Sequence, residues 1–157
     1  MLASGAVDIT NPEIDRYLDG LIPREDPVLI EMEALAKAYV LWRNGFLLHA
    51  AGEFEQAARH FRESIRNRPT AEGHTFLGWS LSKMGRTREA IAECKKAISL
   101  DPDYGNPYND IGVYLTELGR PEEAIPWLRK AMRSRRYCCY QFPHFNLGRI
   151  YLNKGRA

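Results

Sequence analysis

Residues 71–102, AEGHTFLGWSLSKMGRTREAIAECKKAISLDP, read as two short amphipathic helices joined at Met84-Gly85-Arg86. In the first, Leu77, Gly78 and Leu81 recur at helical spacing; in the second, Ala90, Ile91, Cys94, Ala97 and Ile98 do the same. Gly78 has no side chain, which lets the two helices of a hairpin approach closely. Gly85 suits the left-handed residue that ends the first helix, and Thr87 is placed to cap the second. Asp101-Pro102 stops the second helix, because proline excludes its predecessor from helical geometry. One such hairpin cannot bury its own apolar face, so copies are required.

The copies are there. The small glycine recurs as Gly45, Gly78, Gly112 and Gly148, at spacings of 33, 34 and 36 residues. A turn glycine keeps step as Gly52, Gly85, Gly119 and Gly155. The second helix repeats Ala57, Ala90 and Ala124, then Phe61, Cys94 and Leu128, then Ser64, Ala97 and Ala131. Two independent glycine series with a period near 34 mark a helical solenoid. The pattern L-G-x-x-L/Y, then G, then A-x-x-x-F/L-x-x-A, then P, runs in whole or part from about Ala38 to Gly155. It resembles the tetratricopeptide repeat family. The resemblance implies an all-α, right-handed superhelical solenoid of about 3.5 helix-turn-helix repeats, with repeats near 38–70, 71–104 and 105–140 and a half-repeat over 141–157. An N-terminal helical cap would cover its open end. The division expected is an acidic segment with a short helix over 1–26, followed by the repeat domain over 27–157.

The resemblance also implies a site. In this family the concave groove is lined by first-helix positions two, five, nine and twelve, counting the small glycine as eight. Those positions hold Tyr39, Trp42, Phe46 and His49, then Glu72, Thr75, Trp79 and Ser82. Asn106, Asn109, Val113 and Thr116 follow, and then Phe142, Phe145, Arg149 and Leu152. The groove is thus expected to be aromatic at its N-terminal end, polar in the middle, and aromatic and cationic at its C-terminal end. For Trp42, Phe46 and Trp79 the helical spacing fits core packing as well as groove lining. Some family members hold a chaperone's C-terminal carboxylate with a lysine, asparagine and arginine set. The corresponding places here carry Trp42, Phe46, Phe76, Asn106 and Asp110, which leave no pairing for a carboxylate. The function implied is a non-catalytic adaptor that binds a peptide or protein segment in the groove.

Upstream, residues 11–37 do not fit the repeat. Asn11-Pro12 reads as the start of a short helix ended by Gly20, and Asp26-Pro27 as the start of a second. Val28, Met32, Leu35, Tyr39, Trp42 and Phe46 recur in steps of three and four, so this second helix is expected to run unbroken into the first repeat. The stretch resembles the N-terminal lead of S-adenosylmethionine-dependent O-methyltransferases, E-x-x-x-Y-L…L-x-P-x-x-D-P-V-L-x-E-M-E. That resemblance implies an alternative role as an accessory domain of such an enzyme. The glycine-rich turn after a first strand, which would let a backbone approach the cofactor, is absent.

Composition narrows the remaining classes. The 157 residues carry a net charge of +2, but residues 1–37 hold eight acids against three bases, so the rest is strongly basic. No stretch approaches 18 consecutive apolar residues, and Met1 to Thr10 lacks the basic and apolar runs of a secretory signal. A cytoplasmic protein without a membrane span is expected. Three cysteines make no disulfide framework, and Cys138, Cys139 and His144 lack the second pair that zinc requires, so no metal or cofactor is expected. His49, His60, His74 and His144 stand at repeat positions without paired acids, and no phosphate loop or nucleophile elbow occurs, so no catalytic residue is assigned. Arg129, Lys130, Arg133, Arg135 and Arg136 form a basic cluster, read as a solvated face at a helix end, with nucleic-acid binding as the alternative. After Gly155 no second helix follows, so Phe145, Leu147, Ile150 and Tyr151 are expected partly wet and a concentration-dependent homodimer is expected through this end.

Overall fold

A computed structural model describes residues 26–155 apart from Cys138. Seven helices fill them: α1 (Pro27–Ala50), α2 (Phe54–Asn67), α3 (Ala71–Lys83), α4 (Thr87–Leu100), α5 (Asn106–Glu117), α6 (Pro121–Ala131) and α7 (Gln141–Lys154). No strand occurs among the described residues. The expected short helix ended by Gly20 lies outside them.

Local chemistry sets the ends. Asp26 caps α1, its Oδ1 accepting the Val28 N–H at 2.7 Å, and Pro27 fills the first turn, where a missing N–H costs nothing. The 24-residue α1 runs unbroken into the first repeat, as the spacing required. Thr70 caps α3 by accepting the Gly73 N–H at 3.0 Å. Thr87 does not cap α4: Arg86 occupies that position without a side-chain cap and forks onto Glu89 instead, at 2.7 Å. Gly52, Gly85 and Gly119 take φ of 85°, 76° and 73°, a region that costs other residues strain. Gly155 differs, with φ −73°.

Helices pair as α1–α2, α3–α4 and α5–α6, and each hairpin stacks on the next. The first helices also touch across repeats, α1 on α3, α3 on α5 and α5 on α7, while α2, α4 and α6 do not touch one another. The first helices therefore form the inner layer of a solenoid and the second helices the outer one. The core runs between the layers through Phe61, Leu77, Leu81, Cys94, Ile111 and Leu128, all buried. Ser64, Ala97 and Ala131 are small because they are buried where helices meet, and Ser64 also donates to the Ala38 carbonyl at 2.7 Å.

The longer third repeat has a structural use. Its extra length brings Arg136 back beside the loop before α5: Gly105 N–H donates to the Arg136 carbonyl at 3.0 Å, and Arg136 N–H to that of Asp103 at 2.9 Å. The Arg136 guanidinium then bridges Asp101 and Glu72. Groove position Glu72 is thereby committed to a cross-repeat ion pair.

Candidate functional site

The N-terminal half of the inner layer is a continuous set of rings. Tyr39, Trp42 and Phe46 stack along α1, with centroids 6.4 and 5.8 Å apart. Phe76 of α3 meets Trp42 and Phe46 edge-on at 5.2 and 5.6 Å, and Trp79 at 5.1 Å. His49 closes the set, stacked on Trp79 at 5.7 Å with its Nδ1 3.0 Å from Ser80 Oγ. Burial first and nearby Lys83 second hold His49 below its ordinary pKa, so it is neutral at physiological pH.

Exposure decides between core and groove. Tyr39 is 62% exposed and Phe46 41%, which makes them surface rings on the inner layer. Trp42 and Trp79 are half-buried and pack against the core, so each serves both purposes. Phe76, absent from the expected groove positions, is the ring the others pack around. A cleft of about 250 Å³ opens beside Trp42, lined also by Leu35, Tyr39, Arg68 and Thr70. The Trp42 indole N–H is buried without an acceptor among the described residues.

The middle of the groove differs from expectation. Thr75 is 2% exposed and donates to the Ala71 carbonyl of its own helix at 2.8 Å, so it offers a ligand nothing. Asn109 is also buried, its Oδ1 accepting from Asn146 Nδ2 at 3.1 Å, whereas Asn106 keeps partial exposure. Beside Asn109 lies Asp110, a carboxylic acid pushed up from 3.8 to about 7 by burial, against the hydrogen bonds of Asn109 and Trp79. Its Oδ2 has no partner among the described residues. The sequence marked Asp110 only as a departure from a carboxylate-binding pattern. A buried acid at this place supplies no cation to pair with a ligand carboxylate.

On α7, Phe142 and Phe145 are exposed and the Arg149 guanidinium lies 5.8 Å from the Phe145 ring. Arg149 also lines a small cleft of about 140 Å³ with Val113, Thr116 and Asn146. Leu147 and Ile150, expected partly wet, are buried, because that side of α7 faces α5 and α6. His74 has a paired acid after all: its Nδ1 lies 2.6 Å from Glu93 Oε2 across the second hairpin. Burial raises the Glu93 carboxyl, but hydrogen bonds from His74 and Lys96 outweigh it and leave its pKa below the ordinary value. Cys94 is buried and Cys139 half-buried, and no cluster of metal-binding side chains occurs among the described residues.

Tetratricopeptide repeat profiles match residues 38–63, 71–104 and 93–125. The chain carries tetratricopeptide repeats. "Small glutamine-rich tetratricopeptide repeat-containing protein 2" of Saccharomyces cerevisiae is 29% identical over 126 residues, 80% of this chain and 33% of that protein. The chain spans a third of that relative and less of the other curated proteins it matches. Among solved repeat structures, the TPR2B domain of yeast Sti1 in complex with pHsp70 superposes with a TM-score of 0.70 at 20% identity, covering 75% of this chain and 98% of that one. The first repeat domain of Spaghetti (RPAP3), bound to the HSP90 peptide SRMEEVD, gives 0.69 at 18% identity, with coverage of 77% and 95%. These matches lend the O-methyltransferase resemblance no support.

Proposed function

We propose that the chain is a non-catalytic interaction module that holds a peptide or protein segment along its inner layer. The observation that carries this reading is the exposure of Tyr39 and Phe46 within a packed ring cluster on the inner helices. Water around two large rings is unfavourable by roughly 25 cal/mol per Å² of apolar surface, and a ligand's apolar side chain would replace it. The cleft beside Trp42 fits such a side chain. The polar end, with Asn106 and Arg149, would hold the rest of the segment. The solved neighbours support the mode of binding, since one was determined with an HSP90 peptide bound and another in complex with pHsp70. The ligand proposed here is different in kind, an apolar segment rather than a terminal carboxylate, because Asp110 and the rings occupy the carboxylate-binding places.

Affinity capture followed by mass spectrometry, run in parallel on the wild type and on a Tyr39→Ala/Phe46→Ala variant, tests the reading. Partners retained by the wild type and lost by the folded variant support it; identical sets contradict it. We also propose self-association through α7, where Phe142, Phe145, Tyr151 and Leu152 are exposed. Light scattering that shows only monomer up to high micromolar concentration would refute that part alone.

A further inference from the structure

The outer layer carries a feature that groove binding leaves unused. Between the loop after α4 and helix α6 lies a cleft of about 590 Å³. Pro102, Ile125 and Pro126 give it apolar walls, Arg129, Lys130 and Arg133 bring three cations to it, and Asp103 is the one carboxylate among the lining residues.

These cations differ from their neighbours in how they are compensated. Along the same stretch Arg120 pairs with Glu123, Lys154 with Glu122, and Arg136 with Glu72 and Asp101. Arg129, Lys130 and Arg133 have no carboxylate within ion-pair distance among the described residues. Arg129 donates to the Tyr151 hydroxyl at 3.1 Å, and Lys130 lies 4.8 Å above the Tyr108 ring. Both contacts are with neutral groups, so they orient the charges without cancelling them. Helix geometry contributes as well: Arg129 and Lys130 sit in the last turn of α6, where a cation is favoured.

Aromatic placement decides which anion fits. Single-stranded nucleic acid needs open rings beside the cations on which bases can stack. Here the Tyr108 ring is buried beneath Lys130 and Tyr137 is buried, while the exposed rings Tyr140, Phe142, Phe145 and Tyr151 all stand outside the cleft lining, Tyr151 meeting Arg129 through its hydroxyl. Guanidinium forks and an ammonium around proline walls suit carboxylates on an extended backbone. We propose that this cleft binds an acidic segment of a protein partner, a short run of Asp and Glu side chains, at a site separate from the inner-layer groove.

Fluorescence anisotropy of the full chain with a labelled hexaglutamate peptide tests this. Saturable binding is expected, weakening about tenfold or more as salt rises from about 50 to about 300 mM. A hexaglutamine control should not bind. Arg129→Gln/Arg133→Glu should weaken binding about tenfold or more with the melting temperature retained. If the double variant misfolds, Arg133→Glu alone should weaken binding several-fold, since that side chain is exposed and unpaired. The Tyr39→Ala/Phe46→Ala groove variant should bind the peptide as the wild type does. Equal binding by the Arg variants, loss of binding in the groove variant, or tighter binding of a short oligothymidylate would each overturn the proposal. The last outcome would favour nucleic acid, and loss in the groove variant would move the acidic peptide to the inner layer; equal binding by the Arg variants leaves the groove reading untouched.

Discussion

Helices α5 and α7 carry the same repeat positions and have opposite surroundings. On α5, a methyl group at Gly112 would stand 2.5 Å from the buried Leu128 side chain. On α7, a methyl at the equivalent Gly148 would meet nothing within 4 Å. Position six is Asp110 on α5, buried and pushed toward neutrality, and Asn146 on α7, half-buried and bonded to Asn109. The small glycine is thus a property of a pair of helices. It is demanding where a second helix packs against it and free where none does.

The largest effect expected from this contrast is on the residue that makes Gly112 tight. Leu128→Ala should cost about 2–5 kcal/mol, because it empties a fully buried site between α5 and α6. Chemical denaturation checks it, and a loss below about 1 kcal/mol would mean that α6 is loosely held.

Next comes the glycine itself. Gly112→Ala should destabilise by about 1–3 kcal/mol through overpacking. Gly78→Ala should cost less, since its nearest contact, the Ala90 carbonyl oxygen, is at 3.2 Å.

Asp110→Asn places on α5 the residue that α7 carries at the same position. The folded-state value of Asp110, about 7, lies above the ordinary 3.8, so folding takes up a proton between those values. Its stabilising contribution is complete below about pH 4 and is lost as pH rises through about 7. The variant should therefore gain about 1–3 kcal/mol over the wild type at pH 8, and less at pH 5. Melting temperatures at the two pH values check it; an equal shift at both would show that Asp110 stays charged when folded.

The smallest effect should have the opposite sign. Gly148→Ala should stabilise by about 0.5–1 kcal/mol, because it restricts the unfolded chain without a clash. Destabilisation would mean that another surface covers this face in solution.

The repeat was legible because it rests on constraints that only glycine meets: close approach at Gly45, Gly78 and Gly112, and positive φ at Gly52, Gly85 and Gly119. The site was less legible because core and groove share one helical period. Thr75 and Phe76 are neighbours, yet the hydroxyl turns into its own helix and the ring becomes the centre of the aromatic cluster. Spacing alone cannot separate two positions about 100° apart on the same face boundary. Asp110 and the His74–Glu93 pair depend on contacts between helices, which no single-helix pattern records.

If the inner-layer rings bind rather than merely pack, Phe46 separates the two roles best. The measurement is the affinity of Phe46→Ala for a partner recovered by capture, taken together with its melting temperature. At 41% exposure, Phe46 should contribute less to folding than a fully buried ring does. Binding should weaken by about 2 kcal/mol or more, with a smaller loss of stability. Unchanged affinity, or affinity lost only in step with a collapsed melting temperature, would contradict a binding role.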